Sequence, residues 1–134
     1  MLPRLLLDTH VLIRWMRDSK KLSKQQVRAL DEAERRAEPV TLSAMSLLEV
    51  AVLTSQGRVK LKTSLQEFFE DLQTNPVFRI LPLTYEIAQE VGSMGSALKD
   101  PADRTIVATA RVHSLRFVTS DQRIIESKLV SVLD

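Results

Sequence analysis

The chain contains no cysteine among its 134 residues. Disulfides, zinc–thiolate sites, iron–sulfur clusters and cysteine nucleophiles are thereby excluded, and nothing in it demands an oxidising compartment. Glycine occurs only three times, with neither the P-loop nor the dinucleotide-binding spacing. Aromatic residues make up 4%, too few for an extended platform on which bases could stack. The two histidines, His10 and His113, lack the spacing of a zinc pair and read as structural, with a reservation for His10 because it lies two residues after Asp8. No apolar run approaches the roughly 18 residues of a membrane span. The opening stretch Met1-Leu2-Pro3-Arg4-Leu5-Leu6-Leu7 starts like a signal peptide. Asp8 interrupts it before an apolar segment of the necessary length develops, so it reads as a strand and the protein as cytoplasmic. A formal net charge of +2 excludes a generally basic coat but leaves room for a local basic patch.

What is present suits one compact domain over residues 1–134. Hydrophobic residues make up 44%, enough to build a core and to exclude wholesale disorder. Leu5-Leu6-Leu7 is a short continuous apolar run, the pattern of a strand buried on both faces. Further strands are predicted at residues 40–42, 79–83 and 116–119, with a fifth candidate at 129–133. Helices are predicted at 9–17, 23–37, from Ser43 or Ser46 to 53, 64–73, 85–97, 100–113 and 122–127. Short apolar strands alternating with longer helices predict an α/β fold, with a parallel sheet covered on both faces and right-handed crossovers. In such sheets the ligand lies at the carboxyl ends of the strands.

Four carboxylates stand in unusual places. Asp8 follows the first apolar strand directly, and Asp121 follows Phe117-Val118-Thr119-Ser120, another well-defined strand. Both therefore sit at strand carboxyl ends, although each could simply cap the helix after it. Glu49 interrupts Leu47-Leu48-Glu49-Val50-Ala51-Val52-Leu53, a helix otherwise apolar all round, so it reads as a buried carboxylate in need of an arginine or a metal ion. Asp103 shares a helix face with Ile106, Val107 and Ala110, at i, i+3, i+4 and i+7, and heads the stripe that faces the sheet. Its neighbour Asp100 precedes Pro101, and helix capping suffices to explain it. Carboxylates about 4 Å apart repel by roughly 1 to 4 kcal/mol, so gathering them favours a cation. All-oxygen ligands select hard ions such as Mg²⁺ or Mn²⁺, and these favour phosphate substrates.

These residues carry a family resemblance. The blocks Leu5-Leu6-Leu7-Asp8-Thr9-His10, Ser43-Ala44-Met45-Ser46-Leu47-Leu48-Glu49-Val50, Asp100-Pro101-Ala102-Asp103-Arg104 with Ile106-Val107-Ala108-Thr109-Ala110, and Phe117-Val118-Thr119-Ser120-Asp121 occur in the order found in PIN-domain proteins. The chain resembles the VapC-type toxins of bacterial and archaeal toxin–antitoxin pairs, over nearly its whole length. That resemblance implies a three-layer α/β/α sandwich with a central parallel sheet of four to five strands. It implies an Mg²⁺- or Mn²⁺-dependent endoribonuclease whose acidic quartet is carried here by Asp8, Glu49, Asp103 and Asp121, with Asp100 a candidate to share the third position. Thr9, Ser46 and Ser120 match neighbouring hydroxyl positions, which would orient the attacking water or a carboxylate. The partners implied are an RNA substrate, a cognate antitoxin whose tail fills the active-site groove, and a second copy in a homodimer; no membrane is implied.

Arg14, Arg17, Lys20, Lys21, Lys24 and Arg28, with Arg35 and Arg36 beyond them, form the richest basic stretch. It is a candidate for phosphate contacts or, equally, a solvated mixed-charge helix face. Trp15 and Tyr85 read as core or interface residues, and Phe68, Phe69 and Leu72 as core or dimer face. A dehalogenase-like phosphatase needs a second Asp at position 10, which is His, and a receiver domain needs adjacent acids where Leu7 precedes Asp8. A housekeeping RNA-processing nuclease with the same site, and an inactive RNA-binding or interaction module, stay as alternatives.

Overall fold

Leu6 and Leu7 in the first strand are both fully buried, yet they enter different apolar clusters. Successive strand residues point to opposite faces, so a strand apolar at both positions must be covered on both sides. The computed structural model describes residues 4–134; Met1, Leu2 and Pro3, the start of the stretch expected to form the first strand, lie outside the described residues.

The strands are β1 (Leu5–Leu7), β2 (Val40–Ser43), β3 (Phe78–Leu81), β4 (Arg116–Val118) and β5 (Val132–Leu133). They form an all-parallel sheet in the order β3-β2-β1-β4-β5. Among the described residues seven α-helices cover it: α1 (Thr9–Arg17), α2 (Lys24–Arg35), α3 (Ala44–Ser55), α4 (Leu65–Thr74), α5 (Tyr85–Ser93), α6 (Pro101–Val112) and α7 (Gln122–Ser127). On one face Leu7 packs with Val11 and Leu12 of α1, Leu30 of α2 and Phe68 and Leu72 of α4. On the other, Leu6 and Phe117 pack with Ile87 of α5, Ile106 and Val107 of α6 and Ile124 of α7. Each such buried side chain stabilises the fold by about 1.5–3 kcal/mol before entropy is counted. The result is the three-layer α/β/α sandwich with five parallel strands.

Local chemistry explains where the boundaries depart from expectation. β3 stops at Leu81 rather than residue 83, because Pro82 has no N–H to continue the ladder. α5 stops at Ser93 rather than 97. Gly95 there is left-handed, at φ +69°. The Arg104 guanidinium collects the carbonyls of Val91, Gly95 and Leu98, each at 2.6 Å, and so caps the end of α5 from α6. α2 ends at Arg35, two residues early, where Ala37 turns left-handed. Ser43, not Ser46, caps α3, accepting from the Met45 N–H at 3.0 Å. β5 shrinks to two residues after Lys128 turns left-handed, and Leu129 and Val130 pack beneath the sheet instead. Tyr85 is 93% exposed and is not a core residue.

Candidate active site

From β1 the chain builds outward through β2 and β3, whereas β4 and β5 lie on the other side of β1. The order therefore reverses between β1 and β4, and a ligand crevice opens at the carboxyl ends of these two strands. Asp8 is the first residue beyond β1, and Thr119, Ser120 and Asp121 lie just beyond β4. The register pairs Leu7 with Val118, so Asp8 and Thr119 meet side by side. The Asp8 N–H continues the ladder to the Val118 carbonyl at 2.9 Å.

Thr119 is wholly buried and its hydroxyl has two partners. It donates to Asp8 Oδ2 at 2.6 Å and accepts from the Asp121 N–H at 3.0 Å. Asp8 Oδ1 accepts from the Thr9 N–H at 2.8 Å, so both oxygens of this carboxylate are held. Burial pushes the Asp8 carboxyl above the ordinary carboxylate range, against the pull of the Thr119 hydrogen bond and of His10.

Asp103 approaches from the first turn of α6. Asp100 sets this turn: its Oδ1 accepts from the N–H groups of Ala102 at 2.8 Å and Asp103 at 3.3 Å, with Pro101 opening the helix. Asp103 is pushed up to about 6, first by burial and then by the charges of Asp100 and Asp8, with Arg123 opposing. Asp121 caps α7, accepting from the Arg123 N–H at 2.9 Å. The same arginine's guanidinium donates to Asp121 Oδ2 at 2.9 Å and reaches Asp103 Oδ2 at 3.5 Å. Its hydrogen bonds hold Asp121 below the ordinary carboxylate range. Asp8, Asp103 and Asp121 thus act on one another electrostatically, while Arg123 bridges two of them.

Glu49 is partly exposed on α3 and makes no hydrogen bond or ion pair among the described residues. The helix around it is not buried all round, because Leu48 and Val52 are 58% and 42% exposed. Ser46, one turn earlier, is buried and accepts from the Thr9 hydroxyl at 2.9 Å. That bond ties the first turn of α3 to the first turn of α1, directly after Asp8. Ser120 is exposed and accepts from the Gln26 side chain at 3.1 Å; the hydroxyl that grips Asp8 belongs to Thr119. A crevice of about 260 Å³ is lined by Asp8, His10, Val11, Arg14, Ser120 and Asp121.

The roles of three residues of this region escape a reading of the sequence. Thr119 stands in one of the family-like blocks, but only the β1–β4 register identifies it as the partner of Asp8. Arg123 follows Asp121 at i+2, which in sequence is merely a charge in a short helix. Gln26 was detectable through its capping box with Ser23, although its burial and its reach to Ser120 were not. The six basic candidates do not act together. Arg14, Arg17 and Lys21 line one cleft, and Lys20, Lys24 and Arg28 line another.

The donor chemistry fits a hard divalent ion. The donors are all oxygen, two of the carboxyls, Asp8 and Asp103, are disfavoured as anions by burial and by neighbouring carboxylates, and a cation would relieve both. Among the described residues no three acidic or histidine side chains stand close enough to form a ligand shell as they are placed. Arg123, 72% exposed at its side chain, is the cation spanning Asp103 and Asp121.

Comparison with known proteins agrees with this architecture. Ribonuclease VapC22 of Mycobacterium tuberculosis is 32% identical over 120 residues, which are 89% of this chain and 88% of that protein. The crystal structure of FitAcB from Neisseria gonorrhoeae superposes with a TM-score of 0.71 at 27% identity, covering 97% of this chain and 96% of that one. A toxin–antitoxin complex from Klebsiella pneumoniae shares the fold at 22% identity, with a TM-score of 0.64 over 97% of this chain and 96% of that one. The PIN-domain profile matches residues 5–128, and the chain belongs to the PIN-domain family.

Proposed function

We infer that this protein is a VapC-type ribonuclease, the toxin of a toxin–antitoxin pair, which hydrolyses RNA phosphodiester bonds with water as the nucleophile. The observation that carries the reading is the meeting of Asp8, Asp103 and Asp121 at the reversal of strand order, with Asp8 gripped by the buried Thr119. The 32% identity to Ribonuclease VapC22 over most of both chains supports it.

Asp8, Glu49, Asp103 and Asp121 are the acidic quartet. Asp103 is the third acid rather than Asp100, whose Oδ1 is engaged in capping α6. The Ser46–Thr9 hydrogen bond positions α3 so that Glu49 lies one turn further along the same helix face. Bound Mg²⁺ or Mn²⁺ would supply Lewis-acid stabilisation of the phosphate and a more acidic water. Thr119 keeps Asp8 in one orientation, and Thr9 and Ser46 keep the two helices in register. Arg14 presents positive charge at the crevice wall, with His10 beside it. Arg123 offsets the charges of Asp103 and Asp121, which with Asp8 and Glu49 would hold the ion.

The protein acts in the cytoplasm as a single domain; among the described residues no helix is long and apolar enough to cross a membrane. Its partners are the RNA, a cognate antitoxin that closes the groove, and a second copy. Exposed Leu48 and Val52, one turn apart on α3, support the homodimer. The test is cleavage of a mixed RNA substrate with Mg²⁺ or Mn²⁺, with EDTA, and by Asp8→Asn. Loss of cleavage in EDTA, and a loss of on the order of 100-fold or more in the variant, are expected. An Asp8→Asn protein that cuts as fast as the parent overturns the assignment. Growth arrest on expression, abolished by Glu49→Gln, separates a toxin from a processing enzyme.

A further inference from the structure

Several arginines are engaged within the fold. Arg104 caps α5, Arg111 pairs with Glu90, Arg116 donates to the Val132 carbonyl, and Arg123 bridges two aspartates. A second group is different. Arg14 and Arg17 from α1, Lys21 from the following 3-10 turn, and Arg58 and Lys60 from the segment after α3 line one cleft of about 500 Å³. None of these five side chains makes an ion pair or a hydrogen bond among the described residues. The single acid lining the cleft is Asp18, whose carboxylate accepts from the Lys20 N–H.

Two features make this more than a solvated face. The cleft adjoins the acidic crevice, because His10 and Arg14 line both. It is also built by a specific turn. Gly57 is left-handed at φ +69°. Its N–H bonds to the Thr54 carbonyl at 3.1 Å, and the Arg58 N–H bonds to the Leu53 carbonyl at 2.9 Å. This is the Schellman ending of α3, and it directs Arg58 and Lys60 back across α1 toward Arg14 and Arg17. Five cations facing one acid attract a polyanion.

Resting on the ribonuclease reading above, we propose that this cleft holds the phosphates of the RNA strand on one side of the bond that is cut, with Arg58 and Lys60 as its outer contacts. No phenylalanine, tyrosine or tryptophan lines it, so it lacks a broad stacking platform and follows the backbone rather than reading bases. Choice of target therefore resides elsewhere, in the shape of the RNA or in the crevice itself.

The test is binding of fluorescein-labelled single-stranded oligoadenylate and oligocytidylate to the full chain in EDTA, from about 50 to about 300 mM salt. The double variant Arg58→Gln with Lys60→Gln is compared with the parent, and the rival cleft is represented by Lys20→Gln with Lys24→Gln. For the first pair, affinity is expected to fall about tenfold and equally for both oligomers, with a salt slope shallower by roughly 0.7 for each phosphate no longer neutralised. A smaller change is expected for the second. Unchanged affinity for the first pair, an equal or larger loss for the second, or loss confined to one oligomer overturns the proposal. A further arm replaces RNA with an acidic oligoglutamate peptide. If that peptide alone loses affinity in the Arg58/Lys60 variant, the cleft is a protein-docking groove and the RNA assignment fails. Cleavage by the parent with Mg²⁺ separates the two ideas. A parent that never cuts RNA removes the ribonuclease reading, whereas a parent and double variant that bind and cut alike remove only the cleft.

Discussion

The hydroxyl of Thr119 has no freedom left: it donates to Asp8 and accepts from the Asp121 backbone, at a wholly buried position. Replacing it with valine preserves the shape and removes both bonds, leaving an unsatisfied Asp121 N–H and a loosened Asp8. Thr119→Val is expected to slow RNA cleavage about 10–100-fold, as the loss of a group that orients a ligand does. It should cost about 1–3 kcal/mol in denaturant unfolding, the penalty for an unpaired buried donor. Thr119→Ser should recover most of the activity; if valine and serine behave alike, the hydroxyl has no positioning role. Asp103 supplies a second test. Its carboxyl is pushed up to about 6 from a reference of 3.8, so between these values the folded state binds a proton that the unfolded state has released. Stability from this group is therefore present at low pH and lost as pH rises through about 6, and raised Asp8 adds the same sign. Asp121 is lowered and acts only in more acidic solution. In EDTA the protein should melt at a lower temperature at about pH 7.5 than at about pH 5, and Asp103→Asn should flatten that difference. Added Mg²⁺ should stabilise the parent more at the higher pH, because it favours the ionised carboxyls. A melting temperature that rises steadily with pH in EDTA would contradict this account.

At the scale of elements, α6 brings Asp103 within electrostatic reach of Asp8 and Asp121, and α6 is tied to its neighbour through one side chain. The three carbonyls held by Arg104 all belong to the end of α5 and the loop leading into α6. Arg104→Met keeps the apolar stem and leaves those carbonyls to water. A cost of about 1.5–3 kcal/mol is expected, with faster amide exchange confined to residues 91–103 and weaker cleavage through misplaced Asp103. Exchange that speeds up evenly across the chain would show that Arg104 does not act locally. In sequence Arg104 is simply a charge on the outer face of a helix, since periodicity reports which side of α6 is wet but not which carbonyls lie opposite it. Helix beginnings were far more legible than helix ends. Ser23, Ser43, Ser64, Asp100 and Asp121 all cap as their residue types suggest, because a cap is satisfied within three residues. The end of α5 depended on an arginine from another helix and could not be read locally.

For the molecule as a whole, the sheet order determines where the chemistry lies and α3 leaves apolar surface uncovered. Leu48 and Val52 face solvent together, and burying them against a second copy removes that area from water. Sedimentation equilibrium at micromolar concentration should show a homodimer, and Leu48→Glu should shift it toward monomer with the far-ultraviolet circular dichroism unchanged. A monomeric parent, or a Leu48→Glu protein that still dimerises, rules out this face as the interface. The same scale decides the fate of the basic stretch. Arg14, Arg17 and Lys21 join Arg58 and Lys60, from a segment some forty residues away in the chain, while Lys20, Lys24 and Arg28 face away. Nothing in local charge spacing distinguishes these sets, because α1 ends and the 3-10 turn rotates the chain between them.

The amino-acid order alone determined the alternation of short apolar strands with helices, the presence of carboxylates just past β1 and β4, and the absence of disulfide, zinc–thiolate or iron–sulfur chemistry. Those properties follow from periodicity, capping and composition, which act over a few residues. The tertiary structure alone decided that Thr119 rather than Ser120 grips Asp8, that Arg123 spans Asp103 and Asp121, and that the helix around Glu49 exposes Leu48 and Val52 while burying Val50 and Leu53. Each of these depends on which strands are neighbours and in what register, and register is the outcome of packing the entire core at once.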